Sequence, residues 1–286
     1  MKYVLYTIRP KQWVKNIFVF IPILVSGSFF NISLLLDSFI AFISFCLAAS
    51  SVYLFNDVID FSNDKNHPKK KHRPIASGKI SKNLAFIYIL IILFFVFYLQ
   101  NLAINNIWII IILYLFLNLN YSLWLKKIII IDVICISIGF ILRVQAGVVA
   151  TGLENSEWLI SMTFTLAMLL ALGKRKAELE NLGSNLKSRD SLQSYTSPMI
   201  NVMQIIFVTC TIVFYLLYTN LNSTFDGNSL LLSLSSIFVV AGLLRYVQLS
   251  FDNVIEEDPT NILYKDKFIL SSVILWGFII ILSFFV

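Results

Sequence analysis

Residues 38–64 read SFIAFISFCLAASSVYLFNDVIDFSND. Positions 38–56 carry no charge and are mostly apolar, and a helix of roughly 17–25 such residues crosses about 30 Å of hydrocarbon. Lipid offers the backbone no hydrogen-bond partners, and a barrel strand would alternate polar and apolar residues, so this run predicts a helix. Asn56, Asp57, Asp60 and Asp64 follow at once. The stretch therefore predicts a membrane-spanning helix that ends in a group of carboxylates.

The same apolar character recurs along the chain. Of its 286 residues 58% are hydrophobic and 13% are charged, against about 25% charged in a soluble domain. This composition excludes a disordered chain, a collagen-like fibre and an ordinary cytosolic enzyme. We predict an all-α integral membrane protein, one polytopic domain over 1–286, with nine spans near 17–36, 38–56, 83–100, 103–123, 128–150, 157–173, 199–219, 229–249 and 268–286.

The basic residues predict the orientation of these spans. All but one of the 22 lysines and arginines lie before the first span or within or beside every second connection (Arg245 lies in the last turns of the eighth span), and the intervening connections hold none. This alternation predicts a cytoplasmic N-terminus, a retained first helix rather than a cleaved signal, and a multi-pass protein of the plasma membrane. The net charge of +6 then reflects cytoplasmic loops, and nucleic acid is not an expected partner. The exception is Arg143.

The carboxylates that follow the second span are spaced for one helical face. Residues three, four and seven apart share a side of a helix, so Asp57, Asp60 and Asp64 converge, and Asn56 lies one turn before Asp60. Like charges repel strongly at a membrane boundary, and hard oxygen ligands of this kind suit Mg²⁺, which keeps water and substrate phosphates in its shell. We predict a metal–diphosphate site; the alternative is a plain acidic patch at the interface.

A basic loop follows the carboxylates within about ten residues. On its own it would be a positive-inside loop or a contact with anionic lipid. Beside three carboxylates it predicts a clamp for phosphate oxygens, in which Lys70 contributes charge and Arg73 contributes bidentate geometry. Pro74 and Gly78 are expected to hold this loop in a defined turn.

Arg143 lies midway along the fifth span, where a charge is costly and marks a functional site by default. Asp132, eleven residues earlier, projects from the same helical face, so the alternative is a buried pair that fixes helix packing. Gly139 and Gly147 bracket Arg143 and would let a neighbouring helix approach closely. Further candidates for anion contacts on the predicted cytoplasmic side are Lys15, Lys126, Lys174 and Arg175.

Together these residues resemble the UbiA prenyltransferase superfamily of nine-helix intramembrane enzymes. The most specific part is Asn56-Asp57-x-x-Asp60-x-x-x-Asp64 followed by Arg73-Pro-Ile-Ala-Ser-Gly78. Within the superfamily the chain looks most like the decaprenyl-phosphate phosphoribosyltransferase branch. That likeness rests on the segments Arg9-Pro-x-Gln12-Trp13-x-Lys15-Asn16, His67-Pro68, Arg143-x-x-Ala146-Gly147 and Lys174-Arg175-x-x-Glu178.

The resemblance implies a UbiA-like bundle and transfer of the 5-phosphoribosyl group of phosphoribosyl diphosphate onto a decaprenyl-type phosphate, with release of diphosphate. It implies Mg²⁺ held by Asn56, Asp57, Asp60 and Asp64, of which the three aspartates are the expected catalytic residues. The expected substrate-binding residues are Lys15, Asn56, Lys70, Arg73, Lys126, Arg143, Lys174, Arg175, Glu178 and Arg189.

The chain departs from the prenyl-diphosphate-using branches at the sixth-to-seventh connection. Those enzymes carry a second Asp-rich motif there, whereas this sequence has Lys174-Arg175-Lys176-Ala-Glu178. A basic segment matches an additional phosphate or an anionic lipid acceptor better than a second metal cluster. Two alternatives remain open at this point, namely a UbiA-type prenyltransferase acting on a small acceptor and a transporter of anions or lipid phosphates.

Overall fold

The structure, a computed structural model, describes residues 2–66, 70–181, 192, 194–221, 227–255 and 261–286. Within these residues the regular structure is entirely helical. The α-helices in chain order are α1 (Lys2–Ile8), α2 (Ile21–Val25), α3 (Ile32–Ile59), α4 (Phe61–Lys65), α5 (Lys82–Leu102), α6 (Trp108–Leu123), α7 (Ile131–Thr151), α8 (Glu157–Asn181), α9 (Ser197–Leu221), α10 (Ser229–Phe251), α11 (Ile262–Lys265) and α12 (Lys267–Leu282). Short 3₁₀ helices cover Pro10–Phe20, Ser28–Phe30, Lys70–His72 and Leu125–Lys127.

Eight of these helices correspond to predicted spans. In the described part of the chain six are long and apolar enough to cross a membrane, namely α3, α5, α7, α8, α9 and α10. Helices α6 and α12 are also apolar but shorter. Large apolar side chains stand exposed on their surfaces, such as Phe94, Ile109 and Leu230, as lipid-facing helices require. The prediction of a multi-pass helical membrane protein is confirmed.

The prediction of one continuous helix over 17–36 is wrong. The 3₁₀ helix Pro10–Phe20 runs into the five-residue α2, the chain then turns at Gly27 with φ of 69°, and α3 begins at Ile32. Asn31 caps α3 by accepting hydrogen bonds from the backbone N–H groups of Ser33 and Leu34. A positive φ at a glycine and a side-chain cap both end a helix, and neither lowers the hydropathy that predicted the span. The count of nine spans stays a prediction.

The chain divides into two compact units, the first formed by Met1–Ile23, Asn31–Leu123 and Leu142–Gly152. In this first unit α3 packs against α5, α6 and the 3₁₀ helix Pro10–Phe20 around a core that includes Phe45 and Ile111. A Cβ atom at Gly147 would lie 2.0 Å from the backbone oxygen of Val19. Gly147 therefore permits the close approach that the sequence predicted.

The second unit consists of Leu24–Phe30, Trp124–Ile141 and Leu153–Val286. Here α8 packs along α9, and α10 packs along α9 and α12. One buried cluster joins α8 and α9 through residues such as Leu172 and Ile200, and another places Leu169 beside Val208 and Leu249. These apolar contacts fix the position of α8, the helix that carries Lys174, Arg175 and Glu178.

Candidate active site

The acidic motif, residues 56–64, lies in the first unit. It covers the end of α3 and most of α4. Asp57 lies in the last turn of α3, and Asp64 lies in α4. The backbone N–H of Asp60 donates to the oxygen of Asn56, and that of Asp64 donates to the oxygen of Asp60, both at 2.8 Å. Because these i→i+4 bonds carry the helical path through Asp60, residues seven apart stay on one side. Asp57 and Asp64 are both buried, as one face of a helix predicts.

One guanidinium joins these two carboxylates. Nη1 of Arg73 donates to Oδ1 of Asp57 at 3.0 Å and to Oδ2 of Asp64 at 2.6 Å. Oδ1 of Asp57 also accepts from Nη2 of Arg9 at 2.5 Å. A buried carboxylate is strongly disfavoured without a counter-charge, so two arginines facing two buried aspartates form an electrically balanced group.

The donor set fits a small, hard cation. A single positively charged nitrogen already lies within hydrogen-bond distance of two carboxylate oxygens that belong to different aspartates. Mg²⁺ is typically bound in proteins through one or two carboxylates, with water and phosphate completing its shell. Among the described residues no group of three His, Cys, Asp or Glu side chains is arranged for a metal ion, so Asp60 as a further ligand stays a prediction.

The loop that carries Arg73 is anchored by burial and by a turn. Pro74, Ile75 and Ala76 are buried, and the oxygen of Arg73 accepts from the N–H of Ser77 at 2.8 Å. Gly78 follows with φ of 76°, a conformation that glycine adopts without steric cost. The predicted turn is confirmed, and it fixes the backbone from which Arg73 reaches α3. Lys70 is half-buried in the 3₁₀ helix just before this turn.

Asn56, the first residue of the motif, is held by a contact with α6. Its Oδ1 accepts a hydrogen bond from the hydroxyl of Ser122, which also donates to the backbone oxygen of Asn118 at 2.7 Å. Ser122 lies 66 residues from Asn56 in the sequence. No local spacing pattern links two residues so far apart, so sequence reasoning did not include Ser122.

Similarity to known proteins agrees with this geometry. The model of the UbiA prenyltransferase family matches residues 16–188, well over half of the chain. The chain belongs to the UbiA prenyltransferase family. It is 32% identical to the decaprenyl-phosphate phosphoribosyltransferase of Corynebacterium glutamicum, over 98% of this chain and 86% of that protein. It is 31% identical to the enzyme of the same name from Mycolicibacterium smegmatis, over 94% and 88%.

Solved structures of UbiA proteins share the fold. A UbiA homologue from Archaeoglobus fulgidus bound to DMAPP and Mg²⁺ superposes with a TM-score of 0.72 at 17% identity, covering 98% of this chain and 99% of that one. A digeranylgeranylglyceryl phosphate synthase gives a TM-score of 0.66 at 18% identity, covering 99% and 97%. The expectation of a UbiA-like helical architecture is thereby confirmed.

Arg143 of this UbiA protein is buried and donates hydrogen bonds to two neutral side chains in the first unit. Its Nε donates to Oδ1 of Asn16 at 2.7 Å, and its Nη2 donates to the hydroxyl of Tyr114 at 3.1 Å. The guanidinium carbon also lies 5.0 Å from the centre of the Tyr114 ring, within the range of a cation–π contact. The alternative of a buried Asp132–Arg143 pair is wrong. Eleven residues on one face are about 16 Å apart along the axis, too far for an ion pair.

Asp132 instead anchors a buried network in the second unit. Its Oδ2 accepts from Nε of Arg175 at 2.6 Å, and its Oδ1 accepts from the hydroxyl of Tyr195 at 2.8 Å. Arg175 also pairs with Glu178, and Asp132 and Arg175 are both fully buried. Burial and the nearby Asp132 carboxylate raise the pKa of Tyr195 well above its ordinary value, so the phenol remains a proton donor.

The remaining predicted site residues are distributed over both units. Lys15 is half-buried in the 3₁₀ helix Pro10–Phe20 of the first unit, and Lys126 is half-buried in the 3₁₀ helix Leu125–Lys127 of the second. Nζ of Lys174 lies 3.9 Å from Oε1 of Glu178 in α8. Arg189 lies outside the described residues.

Arg9, like Ser122, is a site residue that the sequence did not reveal. It appeared in the sequence as part of a motif typical of one family branch, with no role attached. In the structure it contacts Asp57, the most enclosed carboxylate of the acidic motif, from 48 residues away. Its adoption of a left-handed backbone, with φ of 50° and ψ of 62°, costs a non-glycine residue about 1–2 kcal/mol. Such strain is typical of functional positions.

Proposed function

We propose that this UbiA-family transferase moves the 5-phosphoribosyl group of phosphoribosyl diphosphate onto a decaprenyl-type polyprenyl phosphate and releases diphosphate. Two relatives bear the name decaprenyl-phosphate phosphoribosyltransferase and align over nearly the whole chain. The observation that carries the proposal is the pair Asp57 and Asp64 around one guanidinium nitrogen at the end of a membrane helix. In this arrangement a metal ion with its bound diphosphate would take the place of the guanidinium between the two carboxylates.

Mg²⁺ is the metal that we propose, with Asn56, Asp57, Asp60 and Asp64 as the residues that would hold it. Its chemistry is Lewis-acid stabilisation of the negative charge that develops on a leaving diphosphate. Oxygen ligands and a UbiA homologue solved with Mg²⁺ support this choice of metal. The hydrogen bond from Ser122 would hold the Asn56 side chain in one orientation both with and without the metal.

The basic residues of the first unit have a separate task in the proposal. Arg73, fixed by its turn, and Lys70 just before it would bind oxygen atoms of the diphosphate and stabilise charge as the anomeric C–O bond lengthens. The acceptor phosphate is already anionic at neutral pH, so its attacking oxygen needs no strong general base. We extend the substrate-binding assignment to Lys15, Lys126, Arg143, Lys174, Arg175, Glu178 and Arg189 as proposals, in which the basic members would bind phosphate oxygens. Arg175 is fully buried, so its contact with substrate would require a rearrangement around its guanidinium.

The proposed orientation follows from the basic loops. The acidic motif is followed within a few residues by lysines and by Arg73, on the side where the positive-inside rule predicts cytoplasm. We therefore propose a plasma-membrane protein with a cytoplasmic N-terminus and a cytoplasm-facing site, which a water-soluble donor could reach. Lys71→Cys, in a variant whose Cys46, Cys135 and Cys210 are replaced by Ser, tests this by labelling with a membrane-impermeant thiol reagent in sealed spheroplasts and in inverted vesicles, since only the inverted vesicles should react.

The activity test uses purified protein in detergent with labelled phosphoribosyl diphosphate, Mg²⁺ and a panel of polyprenyl phosphates. Transfer of label to lipid, with a need for added divalent metal, is expected. Turnover of a prenyl diphosphate with a small aromatic acceptor, and no labelled lipid from phosphoribosyl diphosphate, would replace the proposal with a prenyltransferase.

The site test compares carboxylates at the two ends of α3. Asp57→Ala and Asp60→Ala should each abolish transfer while the protein still elutes as a folded species in detergent. Asp37→Asn removes a charge at the opposite end of the same helix and should leave transfer close to wild type. Wild-type turnover by either of the first two variants would remove the metal-site assignment.

A further inference from the structure

We infer that Arg9 is an exchangeable counter-ion of this site, which neutralises Asp57 in the empty protein and binds the donor's diphosphate in the loaded one. The first half concerns Asp57 alone. The second half rests on the proposed function, because it requires a diphosphate-bearing donor. Arg9 would thereby influence the order in which metal and donor bind.

The geometry places Arg9 along one face of α3. Ser50, Tyr53 and Asp57 are separated by three and four residues, so they lie on the same side of that helix. The guanidinium carbon of Arg9 lies 5.1 Å from the centre of the Tyr53 ring, and its Nη2 reaches Asp57. The Arg9 side chain therefore runs along this face of α3 and ends at the carboxylate of Asp57.

The backbone on both sides of Arg9 is fastened to the same helix. The hydroxyl of Ser50 donates to the backbone oxygen of Ile8 at 2.8 Å, and Nε1 of Trp13 donates to that hydroxyl oxygen at 3.2 Å. Pro10 further restricts the chain immediately after Arg9. Since the backbone is fixed, exchange at Asp57 would be a rotation of the Arg9 side chain, about a quarter of which is exposed.

Charge balance explains why Arg9 would exchange. The two guanidinium groups match the two negative charges of Asp57 and Asp64, the carboxylates that they contact, and Asp60 adds one further negative charge nearby. A divalent cation added to this group alone leaves an excess of positive charge in a poorly solvated place, which is unfavourable. A diphosphate that arrives with the cation offsets this excess and offers oxygen atoms to the displaced guanidinium. Metal alone is therefore expected to bind weakly, and metal with diphosphate strongly.

The first experiment measures binding of Mn²⁺ without donor. Detergent-solubilised protein is titrated with Mn²⁺, and electron paramagnetic resonance measures the concentration of the unbound ion. Arg9→Gln removes a cation that competes for Asp57, so we expect it to bind Mn²⁺ about tenfold more tightly than wild type. Lys11→Gln removes the same charge two residues away, on an exposed side chain, and should bind Mn²⁺ as wild type does. A merely structural role for Arg9 would weaken metal binding in Arg9→Gln.

The second experiment measures binding of phosphoribosyl diphosphate in the presence of saturating Mn²⁺. Arg9→Gln should bind the donor about tenfold more weakly than wild type. Arg9→Lys keeps the charge but loses the planar fork, so its affinity for the donor should lie between those of wild type and Arg9→Gln. Thermal unfolding in detergent establishes that each variant is folded. If Arg9→Gln is misfolded, Arg9→Lys is used in its place, and it must bind Mn²⁺ more tightly than wild type does.

The outcomes separate this inference from the proposed function. Folded Arg9→Gln or Arg9→Lys that binds Mn²⁺ no more tightly than wild type overturns the exchange. Tighter Mn²⁺ binding by these variants, combined with no donor binding by the wild-type protein, would support exchange at Asp57 and refute the proposed donor.

Discussion

The buried network around Asp132 gives a sharp prediction about stability. Asp132→Asn removes one charge and keeps the shape, so the amide oxygen can still accept from the Tyr195 hydroxyl. Arg175, which is fully buried, is left with Glu178 as its charged partner in the network. Breaking a buried ion pair costs about 3–5 kcal/mol. Since Glu178 still neutralises part of the charge, we expect the lower end, about 3 kcal/mol.

A double-mutant cycle measures this energy. Arg175→Met should cost a similar amount because it strands the Asp132 carboxylate, whereas the double variant Asp132→Asn with Arg175→Met removes both charges. Neutral pairs of similar volume often replace buried ion pairs with little loss, so the two effects should couple by about 2 kcal/mol or more. The assay is unfolding in mixed detergent micelles, followed by tryptophan fluorescence. Additive effects, or a loss below about 1 kcal/mol in Asp132→Asn, would refute the reasoning.

Three further predictions concern packing, a buried charge and pH. Gly147→Ala places a Cβ 2.0 Å from a backbone oxygen and should cost about 1–3 kcal/mol, whereas Gly277→Ala, with open space around it, should be nearly neutral in the same unfolding assay. Arg143→Lys loses the fork that donates to two partners and should lower the unfolding temperature, which a change of under about 1 °C would contradict. The Arg245 guanidinium holds the pKa of Asp266 below its ordinary value. Wild type should therefore unfold at a higher temperature than Asp266→Asn above about pH 4, and this advantage should disappear as pH falls through the lower folded-state pKa.

Long apolar helices and the spacing within one helix were predictable from the sequence. The convergence of Asp57 and Asp64 depends only on helical periodicity, and the turn before Gly78 depends on local chemistry. The break in the first predicted span was not predictable from hydropathy, because Gly27 and Asn31 change the backbone without making the segment less apolar.

Contacts between distant segments were the part that the sequence could not provide. Arg143 bonds to Asn16 across 127 residues, and Asp132 bonds to Arg175 across 43. Helical periodicity places Asp132 and Arg143 on one face of α7. It does not show which segments of the chain pack against each of these two residues. The partners of buried charges therefore had to come from the tertiary structure.

The length of α3 has a consequence for where the two substrates can meet. Its 28 residues span about 42 Å, some 12 Å more than the hydrocarbon of a bilayer. Asp57 is in the final turn, so this surplus of about eight residues is enough to lift the carboxylates out of the acyl chains to the depth of lipid headgroups. A polyprenyl phosphate keeps its phosphate at that depth while its tail stays dissolved among the lipids. A water-soluble sugar phosphate could thus be joined to a membrane-dissolved carrier without either one leaving its own phase.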